Sequence, residues 1–195
     1  MRRRIVRLPV ILAISLGLVA IAAGQAAQMT LSSPGLKDME PFPLKYTQTG
    51  TKRSEMTPEG MLSAAVSPPL EWTNVPPGTN AFVLMLEDHV NTMMWAVVNI
   101  PGNIRSLPEA IPNGNSSPKL PAGAWQRSYR TNGWIGSAAG ATPDGRWTYY
   151  WRLFPLDKKL DLPVDATREE ILAAMEGHLT GNKAVMINPC CVGSK

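Results

Sequence analysis

Apolar and polar positions divide the chain into short extended runs separated by turn-rich connections. Ala81 to Glu87 follows the turn Pro76-Pro77-Gly78-Thr79, and Trp95 to Ile100 ends at Pro101. Both runs are almost continuously apolar, the pattern of strands buried on both faces of a sheet. A third run, Trp147 to Phe154, alternates. Trp147, Tyr149, Trp151 and Leu153 share one face, and Thr148, Tyr150, Arg152 and Phe154 the other. Ala184 to Asn188 reads as a last strand. One helix is marked by the capping box Thr167-Arg168-Glu169-Glu170, in which hydroxyl and carboxylate satisfy opposite orphan amides. Ile171, Leu172, Met175 and Leu179 then form a stripe that predicts packing against the sheet. His178 is expected to end this helix, where a cation complements the dipole.

Composition agrees with a mostly β chain on long connections. Glycine and proline together supply 34 of 195 residues, above ordinary usage, and they cluster at 34–60, 76–78 and 101–145. That length suits one well-buried domain.

The first residues stand apart. Arg2, Arg3, Arg4 and Arg7 precede an apolar run from Val10 to Ala23, and Gly24-Gln25-Ala26-Ala27 supplies small residues. This is the three-part pattern of a secretory signal, with an apolar core too short for a comfortable membrane span. The expected division is a signal peptide over 1–27 and a single domain over 28–195, with a periplasmic or secreted product. Removing the leader changes the charge picture. The formal net charge of +4 comes from 19 basic and 15 acidic residues. The leader holds four arginines and no acid, so the remainder is balanced. The basic stripe of a nucleic-acid binder is missing.

Cys190 and Cys191 are neighbours. Successive Cα atoms lie about 3.8 Å apart, below the usual disulfide span, so this pair cannot staple distant parts of the fold. A tail of unpaired thiols, a strained redox pair and an intermolecular link stay open.

The familiar site motifs are absent from the sequence. It has no phosphate-binding glycine loop, Gly-x-Ser-x-Gly elbow, His-x-x-x-His pair or Cys-x-x-Cys. With only His89 and His178 available, a histidine-rich metal site is ruled out, and no cofactor is implied. The polar knot Glu87-Asp88-His89 is the remaining candidate. In extended chain Asp88 and His89 point to opposite faces, a constraint that a turn would relax. Asp88 shares a face with Phe82, Leu84 and Leu86, which puts a carboxylate at the end of an apolar strand. Such a group needs a partner. It reads either as a solvated strand end or as a carboxylate at a pocket mouth.

At this point the residues reach a resemblance. Ser67-Pro68-Pro69-Leu70-Glu71-Trp72, Val75-Pro76-Pro77-Gly78-Thr79, the run to Glu87-Asp88 and Trp95-Ala96-Val97-Val98-Asn99-Ile100-Pro101 resemble the phosphatidylethanolamine-binding protein family. The likeness is greatest to its bacterial Raf-kinase-inhibitor-like branch. It continues through Leu120-Pro121-Ala122-Gly123-Ala124, Phe154-Pro155-Leu156-Asp157 and Ala166-Thr167-Arg168-Glu169-Glu170. It implies a β-sandwich of two packed antiparallel sheets with a C-terminal amphipathic helix. It also implies a small pocket for an anionic group, such as a phospholipid head.

Against the family pattern, Asp88 keeps the first acid of Asp-Pro-Asp-x-Pro, while His89 and Val90 replace the next two residues. Met94 stands where a histidine precedes the tryptophan. Gly133-Trp134-Ile135-Gly136 keeps a glycine loop, with Ser137 in place of proline. Trp147 replaces the strand histidine and Tyr149 keeps the tyrosine. Exchanging imidazoles for Met94 and Trp147 removes partners for a phosphate and adds polarisable surface. Asp88, His89, Met94, Trp134, Gly136, Trp147 and Tyr149 are therefore the candidate lining of a pocket altered toward apolar or aromatic ligands. The alternatives are an enzyme using Asp88 and His89 as acid and base on a carbonyl-type substrate, and a module for a periplasmic protein partner whose pocket is filled.

Overall fold

The two continuous apolar runs become the central pair of a five-stranded antiparallel sheet. In the computed structural model the described residues are 27–47, 66–136 and 147–189. The leader through residue 26, Ser137, Cys190 and Cys191 lie outside them. The described strands are β1 (Thr30–Ser32), β2 (Leu70–Thr73), β3 (Ala81–Asp88), β4 (Met93–Pro101), β5 (Ser106–Leu107), β6 (Trp125–Arg127), β7 (Thr148–Leu156) and β8 (Ala184–Pro189). One sheet has the order β1-β2-β5 and the other β6-β4-β3-β7-β8. All their pairings are antiparallel.

The larger sheet is covered on both faces, which is why β3 and β4 show no polar alternation. Phe82, Leu84, Leu86, Trp95 and Val97 face the smaller sheet and pack with Leu31, Leu70, Trp72 and Leu107. Trp72 meets Phe82 edge to face across the sandwich, with ring centroids 5.5 Å apart. Ala81, Val83, Met85, Ala96 and Val98 face the other way, toward the helix α1 (Arg168–Met175). Burying each large apolar side chain of this kind contributes about 1.5–3 kcal/mol. β7 keeps the expected alternation up to Phe154, with Tyr149, Trp151 and Leu153 on the sandwich side.

The capping box of α1 is present, with the Thr167 hydroxyl accepting from the Glu170 amide and the Glu170 carboxylate accepting from the Thr167 amide. The helix is shorter than its apolar stripe predicts. Ile171 and Met175 are buried, and the helix stops at Met175. Gly177 then takes a left-handed φ of 75°, a conformation glycine adopts without Cβ strain. His178 therefore lies beyond the helix, its Nδ1 3.0 Å from the Asp157 carboxylate. Leu179 leaves the stripe altogether, is half exposed, and bridges to Leu156.

The β3–β4 register carries the feature that shapes the site. Leu86 pairs with Trp95 but Glu87 pairs with Met93, so Met94 is an extra residue on β4. Such a bulge lets two successive side chains share a face. Met94 and Trp95 both join the sandwich-side cluster.

Candidate functional site

β3 ends at Asp88, and the chain turns through residues 89–91 before β4 begins. Asn91 takes a left-handed φ of 63°, which asparagine tolerates better than most residues. The Asp88 carboxylate holds this turn. One of its oxygens, Oδ1, accepts the amides of Val90 at 3.0 Å and Thr92 at 2.7 Å. The Asp88 amide donates to the Thr92 carbonyl at 3.2 Å, and the Asn91 amide to the Asp88 carbonyl at 3.0 Å. An aspartate bonding to its own following backbone is a common turn device. Here it leaves the carboxylate only 3% exposed.

Asp88 pairs directly with Tyr149 across the β3–β7 ladder, so their side chains share the sandwich-side face. With Met94 from the bulge and Trp147 from the entry to β7, they line a surface pocket of about 190 Å³. Val90, Thr92 and Tyr129 complete its wall. Tyr149 is fully buried and meets Phe42 edge to face at 5.4 Å. Tyr129 arrives from a separate loop. The Ser128 hydroxyl oxygen accepts the Thr131 amide at 2.9 Å, and the Tyr129 amide reaches the Met93 carbonyl at 3.0 Å.

The other candidates are placed elsewhere. His89 is exposed beside the pocket, its ring edge-on to Trp147 with centroids 4.6 Å apart. Trp134 is a core residue, stacked on Trp151 at 5.7 Å and edge-on to Trp95 at 5.3 Å. Gly136 is buried with a left-handed φ of 74° and is not among the residues that line the pocket.

On the opposite face of β3, immediately before Asp88, Glu87 is equally buried and heavily paired. Its two carboxylate oxygens meet Arg152 of β7 and, at 2.5 Å, Arg168 at the start of α1. Burial works against the Arg168 charge, but the Glu87 carboxylate outweighs it and holds that guanidinium above its ordinary value. This triad ties the helix to the strand end that carries the pocket. Both arginines are more than sixty residues from Glu87, so no local sequence pattern reveals the pairing.

Chemically, the pocket offers one carboxylate, three aromatic rings and a thioether. Among the described residues no lysine, arginine or histidine lines it. Asp88 lines this pocket, whereas His89 is not among its lining residues. Among the described residues no helix is long and apolar enough to cross a membrane.

A family model described as phosphatidylethanolamine-binding protein matches residues 32–189. A UPF0098 protein of Methanothermobacter thermautotrophicus is 31% identical over 157 residues, spanning 78% of this chain and 93% of the relative. A UPF0098 protein of Chlamydia muridarum is 25% identical over 169 residues, spanning 81% of this chain and 96% of the relative. Among solved structures, E. coli YbcL, described as a new member of the mammalian PEBP family, matches with a TM-score of 0.69 at 22% identity. That match covers 85% of this chain and 99% of YbcL. A phosphatidylethanolamine-binding protein homologue of Chlamydia trachomatis matches with a TM-score of 0.60 at 25% identity, covering 84% of this chain and 97% of the other.

Proposed function

The chain belongs to the phosphatidylethanolamine-binding protein family, and from that membership we propose that it is an exported, non-enzymatic binder of a small ligand. The binding site is the pocket beside Asp88, and its rewritten lining takes an apolar or aromatic ligand in preference to a bare phosphate. The observation that carries this reading is the pocket itself, about 190 Å³ with Asp88 as the only charged residue of its wall among the described residues. A phosphate oxygen brought about 4 Å from that carboxylate would be repelled by about 4 kcal/mol at an effective dielectric constant near 20. Neither Met94 nor Trp147 returns a positive charge to offset that, Trp147 offering a phosphate only a neutral indole N–H, whereas both give dispersion contacts to an apolar group.

Export rests on the leader, four arginines followed by the apolar run Val10 to Ala23. It separates the protein from cytosolic kinases, so the inhibitor role in the name of the family's Raf branch is not carried over. Fractionation followed by mass measurement of the mature chain tests this, with an N-terminus near residue 28 expected and an intact leader in the cytosolic fraction contradicting it.

Equilibrium binding with a panel of phospholipid head groups, small aromatics and small amines tests the site. At least one compound should bind wild type and bind Asp88→Ala and Tyr149→Phe more weakly. Indifference of every measured affinity to both substitutions would remove the reading.

A further inference from the structure

Glu87 and Asp88 are consecutive, similarly buried carboxylates with opposite electrostatic fates. Glu87 is 2% exposed and meets two guanidiniums. Asp88 is 3% exposed and has two backbone amides on a single oxygen, with no cationic partner among the described residues. Buried charges are ordinarily paired with an opposite charge. At Asp88 the side where a counter-charge would stand is the pocket, walled by Trp147, Tyr149, Tyr129 and Met94. Aromatic faces attract cations and hold methylated ammonium groups in particular, and a thioether adds polarisable contact. The cations among the described residues stay outside the lining. Arg130 lies over the Tyr129 ring at 5.0 Å and His89 rests against Trp147.

We infer that the pocket's ligand is a small organic cation, a methylated ammonium group whose charge completes Asp88 and whose methyl groups face the aromatic rings. This rests on the binding role proposed above and reverses the sign of charge expected from the family's anion pocket. Size narrows the class further. At about 190 Å³ the pocket is smaller than the roughly 300–1,000 Å³ of drug-sized sites, so it takes a head group and leaves any longer substituent in solvent.

The test is an NMR titration of the mature chain with choline, its uncharged isostere 3,3-dimethylbutanol, indole and inorganic phosphate. The Val90 and Thr92 amides, which bond Asp88, and the Trp147 indole report binding. Choline should bind about tenfold more tightly than the isostere. Asp88→Asn keeps an oxygen for both amides and should erase that difference while leaving the isostere's affinity unchanged. Trp147→Leu, at a partly exposed position, should weaken choline about fivefold and gives a readout even if Asp88→Asn misfolds. Equal binding of choline and isostere, tighter binding of phosphate, binding of indole alone, or unchanged choline affinity in Trp147→Leu would overturn the cation while leaving a ligand pocket. Failure of all four compounds to move these resonances would overturn the cation and the binding role together.

Discussion

Asp88 and Tyr149 face each other across the β3–β7 ladder at a strand end where the core gives way to a pocket. Beyond them the chain leaves β3 in a turn that Asp88 itself ties, so one carboxylate shapes the backbone and lines the cavity. Its two duties can be separated by substitution. Asp88→Ala removes the acceptor for the Val90 and Thr92 amides and should lower stability by about 1–2 kcal/mol. Asp88→Asn keeps an acceptor oxygen and should recover most of that loss in denaturant unfolding. Equal destabilisation by both would show that the turn bonds are not what Asp88 contributes.

Glu87 secures the same strand end from the opposite face. Removing a buried carboxylate that serves two arginines takes the Glu87 partner from Arg152 and leaves Arg168 only Glu169 at 3.5 Å, so Glu87→Ala should destabilise by about 3 kcal/mol. Combining it with Arg168→Met should cost less than the sum of the single changes, and a double-mutant cycle measures this. Additive losses would mean that helix and strand end are not coupled through this pair.

A second electrostatic latch lies away from the pocket. Lys45 Nζ and the Tyr46 hydroxyl both donate to Glu109 Oε1, at 2.7 and 2.5 Å. The bond to Lys45 holds the Glu109 carboxyl below its ordinary 4.5, and the bond to Glu109 pushes Lys45 from 10.5 up to about 12. Burial, then the bond to Glu109, raises the Tyr46 hydroxyl. A lowered carboxylate contributes stability above its unfolded value and loses it as pH falls through the folded one. Raised groups contribute below their unfolded values and lose that contribution as pH rises. The stability gap between wild type and Glu109→Gln should therefore be widest between about pH 5 and 10 and shrink toward both extremes. Thermal melts across pH measure it, and a gap independent of pH would contradict the latch.

Asn188 is fully buried, accepts the Trp151 indole at 3.0 Å and donates to the Lys37 and Glu40 carbonyls at 2.8 Å. Asn188→Ala removes the partner of the Trp151 indole and of the Glu40 carbonyl, while the Lys37 carbonyl keeps the Glu40 amide at 3.1 Å, and should cost about 2–4 kcal/mol in denaturant unfolding. A loss under about 1 kcal/mol would mean that water replaces the amide there.

The parts of this molecule that were legible in the sequence are those set by local pattern. Continuous apolar runs located β3 and β4, alternation gave both faces of β7, and Thr167 with Glu170 marked the start of α1. The end of α1 was also within reach, since Gly177 follows the last buried turn, but Leu179 extended the apolar stripe past it. What sequence could not supply depends on register and on distant partners. Met94 lines the pocket because β4 carries one residue more than β3 at that point, a property of the pair and of neither strand alone. Tyr129 is brought in just after β6, where its amide bonds Met93 of the neighbouring strand β4. Trp134 was read toward the pocket from a glycine loop, whereas its large apolar surface is satisfied against Trp95 and Trp151.

In the proposed function the cavity beside Asp88 is where a ligand sits. Native mass spectrometry of protein recovered from cells, wild type beside Met94→Trp, tests this most directly, because the larger side chain fills the cavity from the bulge and leaves Asp88 in place. Wild type should carry a small adduct that Met94→Trp lacks, with both chains folded by circular dichroism. The same adduct at the same occupancy on both proteins would contradict the account.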